Sequence, residues 1–172
     1  MDIILHQCCG PCSIYPIECL INKNFNIIPL FYNPNIHPYT EFLKRLDNAK
    51  RVNNIYNIKG YYNPHYDIYS FTNNIPYNSP ERCYYCYNIR LKYTAEFAKK
   101  LNVKNFTTTL LYSKYQDHES IIGLSKYYAK EFNLGFYYED FRKGWKEGII
   151  KSKEYNIYRQ NYLKSLLYLL LR

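Results

Sequence analysis

Residues 1–24 read MDIILHQCCGPCSIYPIECLINKN, and this stretch decides the fold. Its first seven residues form a short apolar run, the pattern of a buried strand. From Ser13 onward Ile14, Ile17, Leu20 and Ile21 recur at the spacing of one helix face. Between strand and helix lie Cys8, Cys9, Gly10, Pro11 and Cys12, so a cysteine loop joins the two. Four of its letters, C-G-P-C, are those of thioredoxin-like dithiols. Three facts oppose a pure redox dithiol: Cys8 is surplus, no βα unit precedes the motif, and a second C-x-x-C, Cys83 and Cys86, follows in ERCYYCYNIR.

Working outward, residues 26–32 (NIIPLFY) form a second apolar strand, with Pro29 arguing against a fully paired central position. The prolines of NPNIHPY then impose a turn-rich loop. Helical spacing returns over 40–56 through Phe42, Leu46, Ala49, Val52 and Ile55. Residues 59–81 are irregular, aromatic and rich in Asn and Pro; they read as a long loop with one strand near Tyr61 or Tyr66, and such loops tend to carry function. The pattern then predicts a helix over 83–101, a β-branched strand over 105–113, a helix over 118–132 and a strand over 135–140. Two helices, 145–153 and 157–171, close the chain. Strands alternating with helices predict an α/β fold, a largely parallel sheet flanked by helices, with ligands at the carboxyl ends of the strands, where Cys8 and Cys9 sit. No internal repeat or linker breaks the 172 residues, so one domain over 1–172 is expected.

A hydrophobic fraction of 47% excludes a disordered tail protein. The formal charge of +9, from 23 Lys+Arg against 14 Asp+Glu, gives a field attractive to polyanions, although a Lys-rich genome alone produces basic chains. The 23 tyrosines follow the same compositional bias and support no binding claim by themselves. Met1 leads straight into a short apolar run without a charged leader, and the last apolar run, 166–171, falls short of the roughly 20 residues a membrane span needs. A cytoplasmic location without membrane attachment is expected. In that compartment six cysteines point to metal or redox chemistry rather than to disulfides.

Cys83 and Cys86 stand three apart at a helix start, where the helix dipole favours thiolates; Cys8, Cys9 and Cys12 meet the same condition at the first helix. The two half-sites together would hold a metal ion or an iron–sulfur cluster. Zinc asks for four thiolates in a closed tetrahedron, which adjacent cysteines with diverging side chains suit less well than they suit ligation of separate irons, so iron is favoured. Cys19, inside the first helix on its apolar side, reads as a core thiol.

In order along the chain, LHQCCGPCS, FYNPNIHPYTEF, ERCYYCYNIRL, FTTTLLYSKYQDH, FYYEDFRKGW and YNIYRQNY resemble the motifs of the cobalamin-independent epoxyqueuosine reductases. The resemblance implies a Rossmann-like fold of the HUP type, shared with adenine-nucleotide-binding tRNA-modifying enzymes. It implies a [4Fe-4S] cluster with a second metal ion, iron, beside it. The implied reaction is the last step of queuosine biosynthesis in tRNA, a two-electron, two-proton reduction of the epoxide on the cyclopentane ring, with electrons from a separate donor. Family members continue from YRQ-x-Y into C-G-C, whereas here Leu163, Lys164 and Ser165 follow.

For such a reaction Cys8, Cys9, Cys83 and Cys86 are the expected metal ligands, with Cys12 a fifth. Loss of oxygen needs a proton donor; the candidates are Asp117 and His118 after the TTLLYSKYQ segment, His37 in the NPNIHP loop and Glu81 beside the second cysteine pair, with Asp117 also placed to cap the following helix. Arg82, Arg90, Arg142 and Arg159 flank the motifs and suit tRNA phosphates, against the plainer reading of a solvated basic face. Two rivals stand beside the reductase. One is a metal-stabilised tRNA-binding module without turnover, in view of Leu163 and Ser165. The other is a thiolation enzyme of the same fold, which would need a Gly/Ser-rich ATP loop where this chain has cysteines.

Overall fold

The computed structural model describes residues 1–74 and 81–160. Five strands, β1 Asp2–Gln7, β2 Asn26–Phe31, β3 Tyr61–Tyr62, β4 Asn105–Thr108 and β5 Gly135–Phe136, form one parallel sheet in the order β3-β2-β1-β4-β5. Helices α1 Ile14–Asn22, α2 Tyr39–Ile55, α3 Ile68–Asn73, α4 Arg82–Lys100, α5 His118–Phe132 and α6 Trp145–Glu154 alternate with them. The α/β class expected from the alternation is the one observed.

The central strand explains the two-sided core. Ile4 packs with Leu91, Phe106 and Ile121, whereas Ile3 and Leu5, pointing the other way, pack with Ile14, Ile17 and Val52. A strand buried on both faces carries a continuous apolar run, which is how β1 reads. Pro29 pairs in register with Leu5, and β3 meets β2 only at Leu30 and Phe31. On that side β2 is an edge at Pro29, where a proline is tolerated.

Four elements depart from expectation. The strand expected over 105–113 ends at Thr108, because the Thr108 hydroxyl accepts from the Leu110 amide at 3.1 Å and turns Thr109–Tyr112 into a 3-10 turn. The strand expected over 135–140 holds only Gly135 and Phe136; Asp140 accepts instead from the Arg142 amide at 3.1 Å, opening a 3-10 turn. The loop expected over 59–81 contains α3 as well as β3. No helix starts at Ile157: its amide donates to the Ser152 carbonyl at 2.9 Å and closes α6, and residues from 161 on, with the rest of that expected helix, lie outside the described part.

Strand order reverses between β1 and β4, since β2 lies on one side of β1 and β4 on the other. The crevice at such a reversal is where open parallel sheets bind ligands. Cys8 follows β1 there, and Thr109 follows β4.

Candidate metal centre

Gly10 lets the cysteine loop lie on the backbone of α2. A Cβ at Gly10 would come within 2.7 Å of the Asn48 carbonyl oxygen, a backbone atom that cannot swing away. Ser13 closes the loop, its amide donating to the Gly10 carbonyl at 2.9 Å and its hydroxyl to the Cys9 carbonyl at 2.7 Å. Cys8, Cys9 and Cys12 bring their Sγ atoms within 4.8 Å of one another, and those of Cys8 and Cys9 are 3.9 Å apart. The divergence expected of adjacent cysteines is therefore overturned. The chain leaves the strand at Cys8 and is already helical at Gly10 (φ −60, ψ −58), so the alternation of side chains across a strand no longer applies.

The three thiols share charge unequally. Donation from Cys12, Cys9 and the Thr109 hydroxyl, the last at 3.3 Å, holds Cys8 well below the usual thiol range despite burial. The same hydroxyl accepts from the Cys8 amide at 3.0 Å. Cys9 accepts from Cys12, but its own donation to Cys8, burial and the nearby Cys8 charge push it up. Donation to Cys8 and then to Cys9, with burial, holds Cys12 high. Hydrogen bonds within the trio thus favour the ionised form of Cys8, and thiols linked in this way can release protons to an incoming cation.

The second half-site rises from α4, whose first turns carry Cys83, exposed, and Cys86. Burial raises the Cys86 thiol, while Arg90 opposes that rise by donating from Nη2 to Cys86 Sγ at 3.2 Å and from Nε to the Cys86 carbonyl at 2.8 Å. All five cysteines of the two half-sites line one cavity of about 290 Å³, together with Arg45, Arg82 and Arg90. Cys83 and Cys86 line it without joining the compact trio. Cys19 lies half-buried against the core, as a core thiol should.

Three guanidinium groups thus face a thiol-rich wall and offset the charge that thiolates bring. Arg45 escaped the sequence reading because α2 alternates charges as any solvated helix does; only packing covers most of it. Its Nε donates to Glu41 at 2.7 Å, and Glu41, itself buried, also accepts from the Tyr158 hydroxyl at 2.9 Å. Behind Cys8, His6 is fully buried between Thr108 Oγ1 at 2.9 Å and the Tyr32 carbonyl at 3.2 Å. A carbonyl only accepts, so Nε2 carries the proton; burial and then Arg90 bring the imidazole down to about 4 and keep it neutral.

Several expected site residues stand elsewhere. Asp117 caps α5, its carboxylate accepting from the Ser120 amide at 3.2 Å and the Ser120 hydroxyl at 2.5 Å. His118 meets the Tyr138 hydroxyl at 3.3 Å. Arg142 makes a two-pronged pair with Asp140, at 2.7 and 2.8 Å. None of the three lines the cysteine cavity, and no described carboxylate or imidazole does. Arg90, expected on phosphates, is 4% exposed and committed to Cys86. Arg82 does line the cysteine cavity.

A second cavity, about 250 Å³, adjoins the first and shares Cys9, Cys12, Arg45 and Gln160 with it. Its far wall is aromatic, formed by Tyr112, Tyr115, Trp145 and Tyr158, with Arg159 beside them.

A family model described as Epoxyqueuosine reductase QueH matches residues 3–164. The Epoxyqueuosine reductase QueH of Dehalococcoides mccartyi is 29% identical, with 93% of this chain and 88% of the relative covered. That of Thermotoga maritima is 32% identical, with 93% and 86% covered. Among solved structures, a deacetylase of teicoplanin biosynthesis aligns at a TM-score of 0.48 and 10% identity over 79% of this chain and 65% of its own, a likeness too distant to bear on the chemistry.

Proposed function

This chain belongs to the Epoxyqueuosine reductase QueH family, and on that footing we propose that it reduces epoxyqueuosine in tRNA to queuosine with a thiolate-bound iron–sulfur centre. The observation that carries the reading is the meeting of Cys8, Cys9, Cys12, Cys83 and Cys86 on one cavity, from half-sites some seventy positions apart. The donor set is all thiol, the ionised form of one member is favoured by its neighbours, and its wall is arginine-rich. That chemistry suits a [4Fe-4S] cluster with a second iron ion. Such a centre supplies two electrons, received from a separate donor, and a Lewis-acidic metal for the epoxide oxygen.

The protein's own part is to hold charge and admit substrate. Arg90 and Thr109 keep the ligand sulfurs hydrogen-bonded, and Arg45 and Arg82 offset the negative centre from the cavity wall. Arg82, Arg159 and Arg142 would meet tRNA phosphates. With Asp117 capping a helix and His118 beside a tyrosine, both protons would reach the epoxide oxygen through water, and the oxygen would leave as water while its two carbons form the double bond of the cyclopentene.

Anaerobic reconstitution followed by iron, sulfide and zinc analysis tests this. About four irons and four sulfides per chain, with turnover on epoxyqueuosine-containing tRNA, is the expected result. Changing Cys83 or Cys86 to Ala should abolish assembly, and full iron content in either variant would sink the reading. A second reading has one observation in its favour: metal–sulfur bonds of about 2.3 Å in a single tetrahedral site set sulfurs about 3.8 Å apart, close to the 3.9 Å between Cys8 and Cys9. One tightly held zinc without sulfide would make the protein a metal-stabilised tRNA-binding module, in keeping with Leu163 and Ser165, which lie outside the described residues.

A further inference from the structure

The aromatic cavity is not explained by metal binding. It holds no cysteine beyond Cys9 and Cys12, which sit on the wall it shares with the cysteine cavity. Opposite that wall the Trp145 ring lies 5.1 Å from Tyr112 and 5.9 Å, edge to face, from Tyr115, whose side chain is 66% exposed at the rim. Rings gathered at the open end of a cavity offer faces to a planar heterocycle, and every nucleobase presents one. The shared wall is polar in a different way. Gln160 Oε1 is buried there without a hydrogen-bond partner, an acceptor that calls for an N–H or O–H donor from a ligand. Arg45, its Nε taken by Glu41, presents a partly buried cation to the same place.

Building on the proposed reaction, we propose that this aromatic cavity receives the modified base itself, turned out of the anticodon loop. Its deazaguanine ring lies against Trp145 and Tyr115, and its epoxycyclopentane ring points to the wall of Cys9, Cys12, Arg45 and Gln160. The substrate has the two halves the cavity has: a flat heterocycle, and a ring bearing hydroxyls, an epoxide and a protonated secondary amine. The amine or a ring hydroxyl supplies the donor that Gln160 Oε1 lacks. The orientation is forced by chemistry, because only the epoxide end has business at the thiol side. A base in an anticodon loop is already unpaired, so turning it outward costs little. Lys114, 5.9 Å from the Trp145 ring centre, and Arg159 add positive charge beside the rings for the flanking phosphates.

Trp145 is the chain's single tryptophan, so it reports on its own cavity. The experiment is a fluorescence titration of the full chain, as purified anaerobically, with queuine, the free base of the product. Saturable quenching is expected, weakened about tenfold by Tyr115→Ala, an exposed ring whose loss leaves the core intact. Tyr84→Ala, on α4 beside Cys83, tests the competing location. No saturable response, or a loss of affinity in Tyr84→Ala that exceeds the loss in Tyr115→Ala, overturns the proposal. Turnover on tRNA measured alongside separates the two claims. Turnover without a Trp145 response sinks this pocket and leaves the reductase standing; Tyr115-dependent binding without turnover keeps the pocket and sinks the reductase.

Discussion

Arg90 shows what one side chain does that its neighbours in sequence do not announce. Its planar fork reaches both the carbonyl and the sulfur of Cys86, a geometry lysine cannot copy. Arg90→Lys keeps the charge and should still lower stability by about 1–3 kcal/mol, read from the denaturant midpoint, with poorer iron retention; a variant as stable and as iron-loaded as the parent would show the fork to be idle. His37 gives a pH dependence. It is buried against the Tyr66 hydroxyl at 3.0 Å, and burial followed by the charge of Arg82 brings it down to about 4 from 6.5. Above about pH 6.5 folded and unfolded chains are both neutral there; below it the unfolded chain binds a proton the folded one refuses. Stability is therefore full above about 6.5, declines as the pH drops toward about 4, and His6 acts in the same direction. Urea midpoints at pH values across that window should fall, and should fall less in His37→Gln; midpoints that stay level would contradict the assignment.

At the scale of elements, asparagine does the work usually given to glycine. Asn24, Asn57, Asn102, Asn133 and Asn156 each adopt positive φ just past α1, α2, α4, α5 and α6, while no glycine does. An apolar residue follows in every case, and its amide reaches back across the helix end: Phe25 to Leu20 at 3.0 Å, Ile58 to Asn53 at 2.9 Å, Val103 to Ala98 at 2.9 Å, Leu134 to Ala129 at 2.8 Å, Ile157 to Ser152 at 2.9 Å. These are Schellman closures, with Asn as the left-handed residue. Asn-rich composition reads as genomic bias; five of those asparagines also have a structural task. Asn102→Ala should cost about 1–2 kcal/mol, because a Cβ without a local hydrogen bond is strained in that conformation, whereas Asn102→Gly should be near neutral. Thermal melts of the two variants distinguish them, and equal melting would remove the left-handed strain as the cause.

For the whole molecule the +9 charge makes its own prediction. If Arg82, Arg159 and their basic neighbours meet tRNA phosphates, affinity should fall at least about tenfold between 50 and 200 mM salt, in filter-binding or anisotropy titrations; a flat response would leave the charge as a solvated face. Among the described residues no helix is long and apolar enough to cross a membrane. Sequence alone was enough for the α/β alternation, the cysteine loop after β1 and the half-site on α4, because each is a short-range pattern: apolar period, a Gly-Pro turn, thiols one helical turn apart. It also pointed to the family, through motifs spread along the chain. It mistook the lengths of β4 and β5, where Thr108 and Asp140 side chains outbid the strand ladder; it read Asp117 as a helix cap as well as a candidate acid, but gave no sign that His118 meets Tyr138 or that Arg90 is buried against Cys86. Arg45, Glu41, Trp145 and the second cavity were invisible in it. Their roles come from α2 and α6 packing beside the cysteine loop, and contacts between positions a hundred residues apart, such as Thr109 with Cys8 or Tyr158 with Glu41, leave no periodic trace along the chain. Local chemistry is written in neighbouring letters, whereas the shape and polarity of a cavity arise only when distant segments close around it.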